Sequence, residues 1–199
     1  MTSLILSQEP QKDFELAPAG NHIARCYEIV DLGYQEKTWK GETKRVRQIR
    51  IRWELPQELM EDGRPFSVKR DYTLSFNEKS NLYQDLISWR GRAFTDDELK
   101  QFNLFNVMGA PAMVNVVHRT ADNGRTYANV GSIGPLPKGM TCPDMINDPV
   151  EFSLDDYSQE AWDKLPEWLQ NRISRDDIPT PEPTPEPKQE DFPDDDIPF

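Results

Sequence analysis

The chain has 199 residues, 36% of them hydrophobic, a mean hydropathy of −0.77 and a formal net charge of −12. That is room for one well-cored domain with polar appendages, and too polar for a fully packed 23.1 kDa body. Two cysteines far apart, Cys26 and Cys142, without a CxxC partner argue against a disulfide framework or a zinc site, and no apolar run approaches the ~18 residues of a membrane span.

The charge is unevenly spread. Residues 20–140 carry 18 Lys and Arg against 15 Asp and Glu, a net of +3, whereas residues 141–199 carry 4 against 17, a net of −13. A mildly basic body with an acidic tail is the expected organisation, and the sequence pI of 4.6 belongs to the tail. The N-terminal stretch MTSLILSQEPQKDFEL lacks the basic and apolar regions of a signal peptide, so a soluble protein of the cell interior is expected.

Residues 1–20 form a weakly patterned leader. Residues 21–34 alternate as a strand, with Ala24, Cys26, Val30 and Leu32 on one parity and Arg25, Tyr27 and Asp31 on the other. The polar stretch QEKTWKGETK then reads as a hairpin loop between Gly33 and the next strand. Residues 45–55 place Ile49, Ile51, Trp53 and Leu55 on one face and Gln48, Arg50 and Arg52 on the other. Glu61-Asp62-Gly63 turns into a third strand over 66–76.

The period then changes. Leu82, Leu86 and Trp89 define a helix over 81–89, with Asn77 or Ser80 as cap and Gly91 as stop. A second helix over 96–101 has Thr95 as cap and Glu98 at the capping-box position. Strands over 112–119 and 125–133 flank the hairpin dipeptide Asn123-Gly124. Three strands, a helix and two strands is the order of an OB-fold, a five-stranded barrel with a helix between strands 3 and 4. The expected class is therefore mainly all-β, with the domain at 21–140 and a flanking segment at 141–178.

In that flanking segment Trp162, Leu165, Trp168, Leu169 and Ile173 suggest one short amphipathic helix with Pro166 in its first turn, read as packing on its own barrel in preference to serving as a partner helix; whether residues 141–178 pack on the barrel is left open by the sequence. Residues 179–199 begin with PTPEPTPEP, which favours a solvated polyproline spacer and belongs to a disordered acidic tail. The last six residues are Asp194, Asp195, Asp196, Ile197, Pro198 and Phe199. A small basic pocket with an apolar floor would take the Phe199 ring and pair its terminal carboxylate.

Catalytic constellations are absent from the pattern. Neither His22 nor His118 has a carboxylate or cysteine at triad or metal spacing, and no phosphate-cradling glycine motif occurs. The densest aspartates lie in the tail, which cannot hold two metals a few ångströms apart. A non-enzymatic protein without cofactor or metal is expected.

The terminal FPDDDIPF closely resembles the acidic tip of bacterial single-stranded-DNA-binding proteins. The stretches IVDLG (29–33), DGRPFSVKRDYTLSFNEKS (62–80), WRGRAFT (89–95), GAPAMVNVVH (109–118) and YANVGSIGPLPKGM (127–140) resemble the phage-encoded OB-fold branch of such proteins. The resemblance implies non-specific binding of single-stranded DNA, a role in phage DNA replication or recombination inside a bacterial host cell's cytoplasm, and recruitment of replication or recombination enzymes by the tip. It identifies no DNA contacts, which follow instead from the need for cations along the backbone path and flat rings for bases. The candidates are Arg25 and Tyr27 on strand one, and Tyr34, Trp39, Lys40 and Lys44 in the loop. Arg50 and Arg52 on strand two and Lys69 and Arg70 on strand three join them, one parity of strand three pointing inward. Trp39, a loop residue flanked by Lys37 and Lys40, has little to bury against and reads as a stacking residue. Trp53, Tyr72 and Trp89 read as core. Arg90 and Arg92 read equally as phosphate contacts or as cations favouring the helix C-terminus. Two alternatives share part of the pattern: an acidic DNA mimic that inhibits a DNA-processing enzyme, and a strand-annealing mediator. The mimic would need its acids spread over the folded body, which here is basic. The oligomeric state, homo-oligomer or monomer, is left open by the sequence.

Overall fold

The computed structural model describes residues 15–173 and 177–178, apart from the side chain of Trp39. The chain is mainly β. Strands β1 (Gly20–Trp39), β2 (Glu42–Leu59), β3 (Pro65–Thr73), β4 (Pro111–Thr120) and β5 (Thr126–Gly134) form one antiparallel path in the order β3-β2-β1-β4-β5. Helices α1 (Asn81–Arg90) and α2 (Asp96–Gln101) lie between β3 and β4 in the chain. A sixth strand, β6 (Val150–Phe152), and two short helices, α3 (Gln159–Asp163) and α4 (Glu167–Gln170), follow β5. The five expected strands and the first two helices are thus present. The sheet is open between β3 and β5, which are not paired among the described residues.

The long first strand organises everything. Along one edge it pairs β2 from Arg25↔Glu54 to Trp39↔Glu42. Its other edge is shared: β4 takes Gly20 to Arg25, Gly109 and Ala110 bond the main chain of Cys26, and β6 runs parallel beside Glu28–Val30. Two register shifts interrupt the β1–β2 ladder, between Cys26 and Glu28 and between Asp31 and Gly33. Each adds a residue to one strand and turns the following side chains to the other face. Ala24, Cys26 and Ile29 consequently enter the main core, while Val30 and Leu32 enter a second one.

The polar stretch after Gly33 is a correction to the expected loop. Both strands run on, with Thr38 opposite Thr43, and close on a two-residue turn at Lys40-Gly41. Lys40 has φ 49° and Gly41 φ 83°, the pair of left-handed residues that a tight hairpin turn requires. This arm projects beyond the packed sheet, so neither face needs an apolar parity; that is why it reads as a loop.

Helix α1 caps the main core with Leu82, Tyr83, Leu86 and Trp89. Ser80 accepts from the Tyr83 N–H at 3.2 Å, and Gly91, with φ 68°, ends the helix. Trp89 meets Trp53 edge-on at 5.5 Å, and its indole N–H donates to the Pro111 carbonyl at 2.8 Å. In α2 the capping box is complete: Thr95 accepts from the Glu98 N–H, and Glu98 accepts from the Thr95 N–H at 3.0 Å.

The segment after residue 140 belongs to the fold. Its Phe152, Leu154, Leu165, Leu169 and Ile173 pack with Val30 and Leu32 into the second core. Pro166 divides the single helix expected there into α3 and α4, because it lacks the N–H of a helix interior and disfavours helical backbone at the residue before it. Glu54, fully buried, accepts from the main chain of Ile146 (2.7 Å) and Asn147 (2.8 Å) and from the Asn147 side chain (2.6 Å). Asp31 accepts from the N–H groups of Gly33 (2.9 Å) and Leu154 (3.3 Å) and from Arg47. Two buried carboxylates thereby tie the flanking segment to β1 and β2. The proline spacer and the acidic tip lie outside the described residues.

Candidate nucleic-acid interface

The face of β2 and β3 carries the densest set of cations. Arg50, Arg52 and Lys69 sit here with Asp71, Arg52 and Lys69 being register partners. Arg50 is fully buried and binds Asp71 through two nitrogens, at 2.8 and 3.1 Å. Arg172, beyond α4, donates to the second Asp71 oxygen at 2.7 Å. Burial pushes the Asp71 carboxyl up, but Arg50 and then Arg172 more than offset this and hold it below the ordinary carboxylate range. Lys69 is held below the ordinary lysine range, first by desolvation and then by the neighbouring Arg50. Arg52 reaches Glu28 at 3.5 Å and Tyr27 at 3.4 Å. The Glu28 carboxyl is raised by burial, a rise that Arg52 and Arg50 only partly counter.

Two expectations on this face need correcting. Tyr27 is 7% exposed: it is the extra residue of the register shift between Cys26 and Glu28, within a stretch of β1 buried on both faces. Arg50 lies beneath α4, with Trp168 5.3 Å from its guanidinium carbon. Neither reaches solvent as the strand parity suggested. Arg25 is likewise spent on the fold: it donates to the carbonyls of Gly109 (2.7 Å), Cys142 (3.1 Å) and Pro143 (2.8 Å).

Beyond Lys69 the face continues into a cleft of about 310 Å³ between β3 and β5, lined by Lys69, Arg70, Asp71, Arg119, Asn129, Val130 and Gly131. Arg70 pairs with Asp85 at 2.8 Å, leaving it half-buried, whereas exposed Arg119 forms no ion pair among the described residues. Arg119 and Asn129 were missed by sequence reasoning, since a cation at the end of a valine-rich strand carries no local signal.

The β1–β2 arm offers a second basic surface. Tyr34 is 48% exposed with the Arg45 guanidinium 5.6 Å from its ring centroid. Lys40 stands at the turn, and Lys44 pairs with Glu42 in full solvent. Trp39 stands at the arm's end rather than in a loop. Arg45 and the Tyr34 N–H also meet Asp177, at 3.4 and 2.7 Å.

The arginines after α1 lie apart from these surfaces. Arg90 packs over Phe94 (4.1 Å) and pairs with Glu98, and Arg92 joins the same carboxylate at 2.7 Å. Arg92, the Thr95 N–H and Arg90 together hold Glu98 down to about 2. Both cations therefore have a structural task at the helix junction. His22 bonds Pro18 and Glu58, and His118 bonds Ala17, so both histidines anchor the leader. Trp53, Tyr72 and Trp89 are core residues, as their parities predict.

Among the described residues no group of three or more His, Cys, Asp or Glu side chains is placed to hold a metal ion, and no helix is long and apolar enough to cross a membrane. The chain is a mainly β protein with a six-stranded sheet and a cation-rich, partly covered β2–β3 face. No protein-family model matches it, nor does any curated protein sequence.

Proposed function

We propose that this chain is a non-enzymatic, sequence-non-specific single-stranded-DNA-binding protein of the OB-fold type, acting in phage DNA replication or recombination within a bacterial cytoplasm. The strand–helix–strand order and the resemblance of its motifs support the fold assignment. The observation that carries the function is the basic path from Arg52 through Lys69 to the Arg119 cleft, which persists although residues 141–178, with 3 Lys and Arg against 10 Asp and Glu, turn the folded body net negative. Cations on such a path displace counterions from the strand, the exposed Tyr34 ring on the arm stacks on a base, and coating keeps the strand from pairing.

Binding of a dT oligonucleotide and of a duplex, measured by fluorescence anisotropy at several salt concentrations, tests this. Strong single-strand preference with a steep salt dependence is expected; duplex preference would sink the proposal. Lys69→Gln and Arg119→Gln should each weaken all sequences alike and lower the salt slope by about 0.7.

The tip 194–199, outside the described residues, is proposed to recruit replication or recombination enzymes through its acids and terminal phenylalanine. A chain lacking residues 190–199 should bind DNA equally or more tightly and lose capture of such an enzyme in a pull-down. A clear loss of DNA affinity on that truncation would count against the division of labour.

A further inference from the structure

Resting on that reading, we propose that Trp168 is a base-stacking platform, which brings the short helix α4 into the DNA interface. Leu169 and Ile173, both buried, anchor this segment in the second core. Their neighbour Trp168 is turned onto β2 instead. Its ring centroid lies 5.3 Å from the Arg50 guanidinium carbon and 5.4 Å from that of Arg52. Yet 48% of the residue remains exposed. A tryptophan retained by cation–π contacts, with half its surface open, offers a flat ring in a held orientation.

The surroundings suit a nucleotide. Arg50 and Arg52 lie against the ring, Lys69 and Arg172 belong to the same charge cluster, and its acids are already engaged: Asp71 by Arg50 and Arg172, Glu28 by Arg52. Glu167, on the same helix, is exposed. A base stacked on Trp168 would leave its phosphates beside a cluster of four cations, Arg50, Arg52, Lys69 and Arg172, that outnumbers its two carboxylates, Asp71 and Glu28, on the same path that leads to Lys69 and the β3–β5 cleft. Stacking asks only for a π-face, so the contact is indifferent to sequence. Every base has one.

The test compares dT oligonucleotides with strands of equal length in which the bases are replaced by abasic sites, keeping the phosphates. Trp168→Ala should weaken dT binding roughly 5- to 150-fold and leave abasic binding as in the wild type. Trp168→Phe should recover much of the loss. A strand carrying 5-iodouracil, irradiated with the unaltered protein, should crosslink to the peptide containing Trp168, a readout independent of whether the alanine variant folds. If wild type binds dT and Trp168→Ala keeps the same dT-to-abasic ratio, or binds dT more tightly, Trp168 is not a platform but a spacer or a cover over the arginines. Failure of the wild type to bind dT overturns the DNA-binding proposal itself, and this one with it.

Discussion

A chain ending at residue 140 is expected to lose most of its stability, whereas one ending at residue 178 unfolds like the full-length protein. The shorter chain lacks Phe152, Leu154, Leu165, Leu169 and Ile173, which cover Val30 and Leu32. Five buried side chains of this size contribute ~7–15 kcal/mol gross at 1.5–3 each, offset in part by the entropy of ordering the segment. That is comparable with the whole stability of a domain, ~5–15 kcal/mol. The truncation also strips β6 from the edge of β1 and removes the three donors to Glu54. An unpaired strand edge beside an uncovered apolar face invites aggregation. Urea unfolding followed by tryptophan fluorescence decides the matter. Equal midpoints for the two truncated chains would mean that the second core is dispensable, and that the domain closes at residue 140 as composition suggests.

Asp31→Ala is expected to cost about 3 kcal/mol. Its carboxylate is 5% exposed and gathers Gly33 and Leu154 main-chain donors with the Arg47 guanidinium. Removing it leaves two buried N–H groups and a half-buried cation short of an acceptor. Asp155→Ala is the control. Asp155 pairs with the same arginine at 2.9 Å but is largely in water, so its removal should cost less than about 1 kcal/mol. Similar losses from the two variants, read from denaturant midpoints at neutral pH, would show that Asp31 does not carry the junction.

The residue-by-residue origin of the fold explains why some of it is readable from sequence. Period-two runs such as Ile49–Ile51–Trp53–Leu55 bury one face of a strand, and Leu82–Leu86–Trp89 one face of a helix. Ser80, Gly91, the Thr95–Glu98 box and Asn123-Gly124 end elements through bonds made within a few residues, so their signal is local. The acidic excess after residue 140 is likewise a property of sequence alone, but the boundary between body and tail is not: residues 141–178, with 3 Lys and Arg against 10 Asp and Glu, belong to the folded body, which corrects the expectation of a basic body.

Tertiary structure decided which cations remain available to a ligand. Arg25, Arg50 and Arg90 have the same local pattern as Arg52 or Arg119, yet their partners lie 8 to 118 positions away in the chain. Parity failed at Tyr27 because it is the extra residue of the register shift between Cys26 and Glu28, which leaves it buried with its hydroxyl at Arg52. Nor could periodicity show that Trp168, spaced like a core residue of an amphipathic helix, would leave that core for two arginines of β2. By itself the sequence determined the strands, the helix caps and the acidic tail, since each depends on neighbours along the chain. The partly covered β2–β3 face, the Arg119 cleft and the exposed indole depend on non-local packing, and only the tertiary structure decided them.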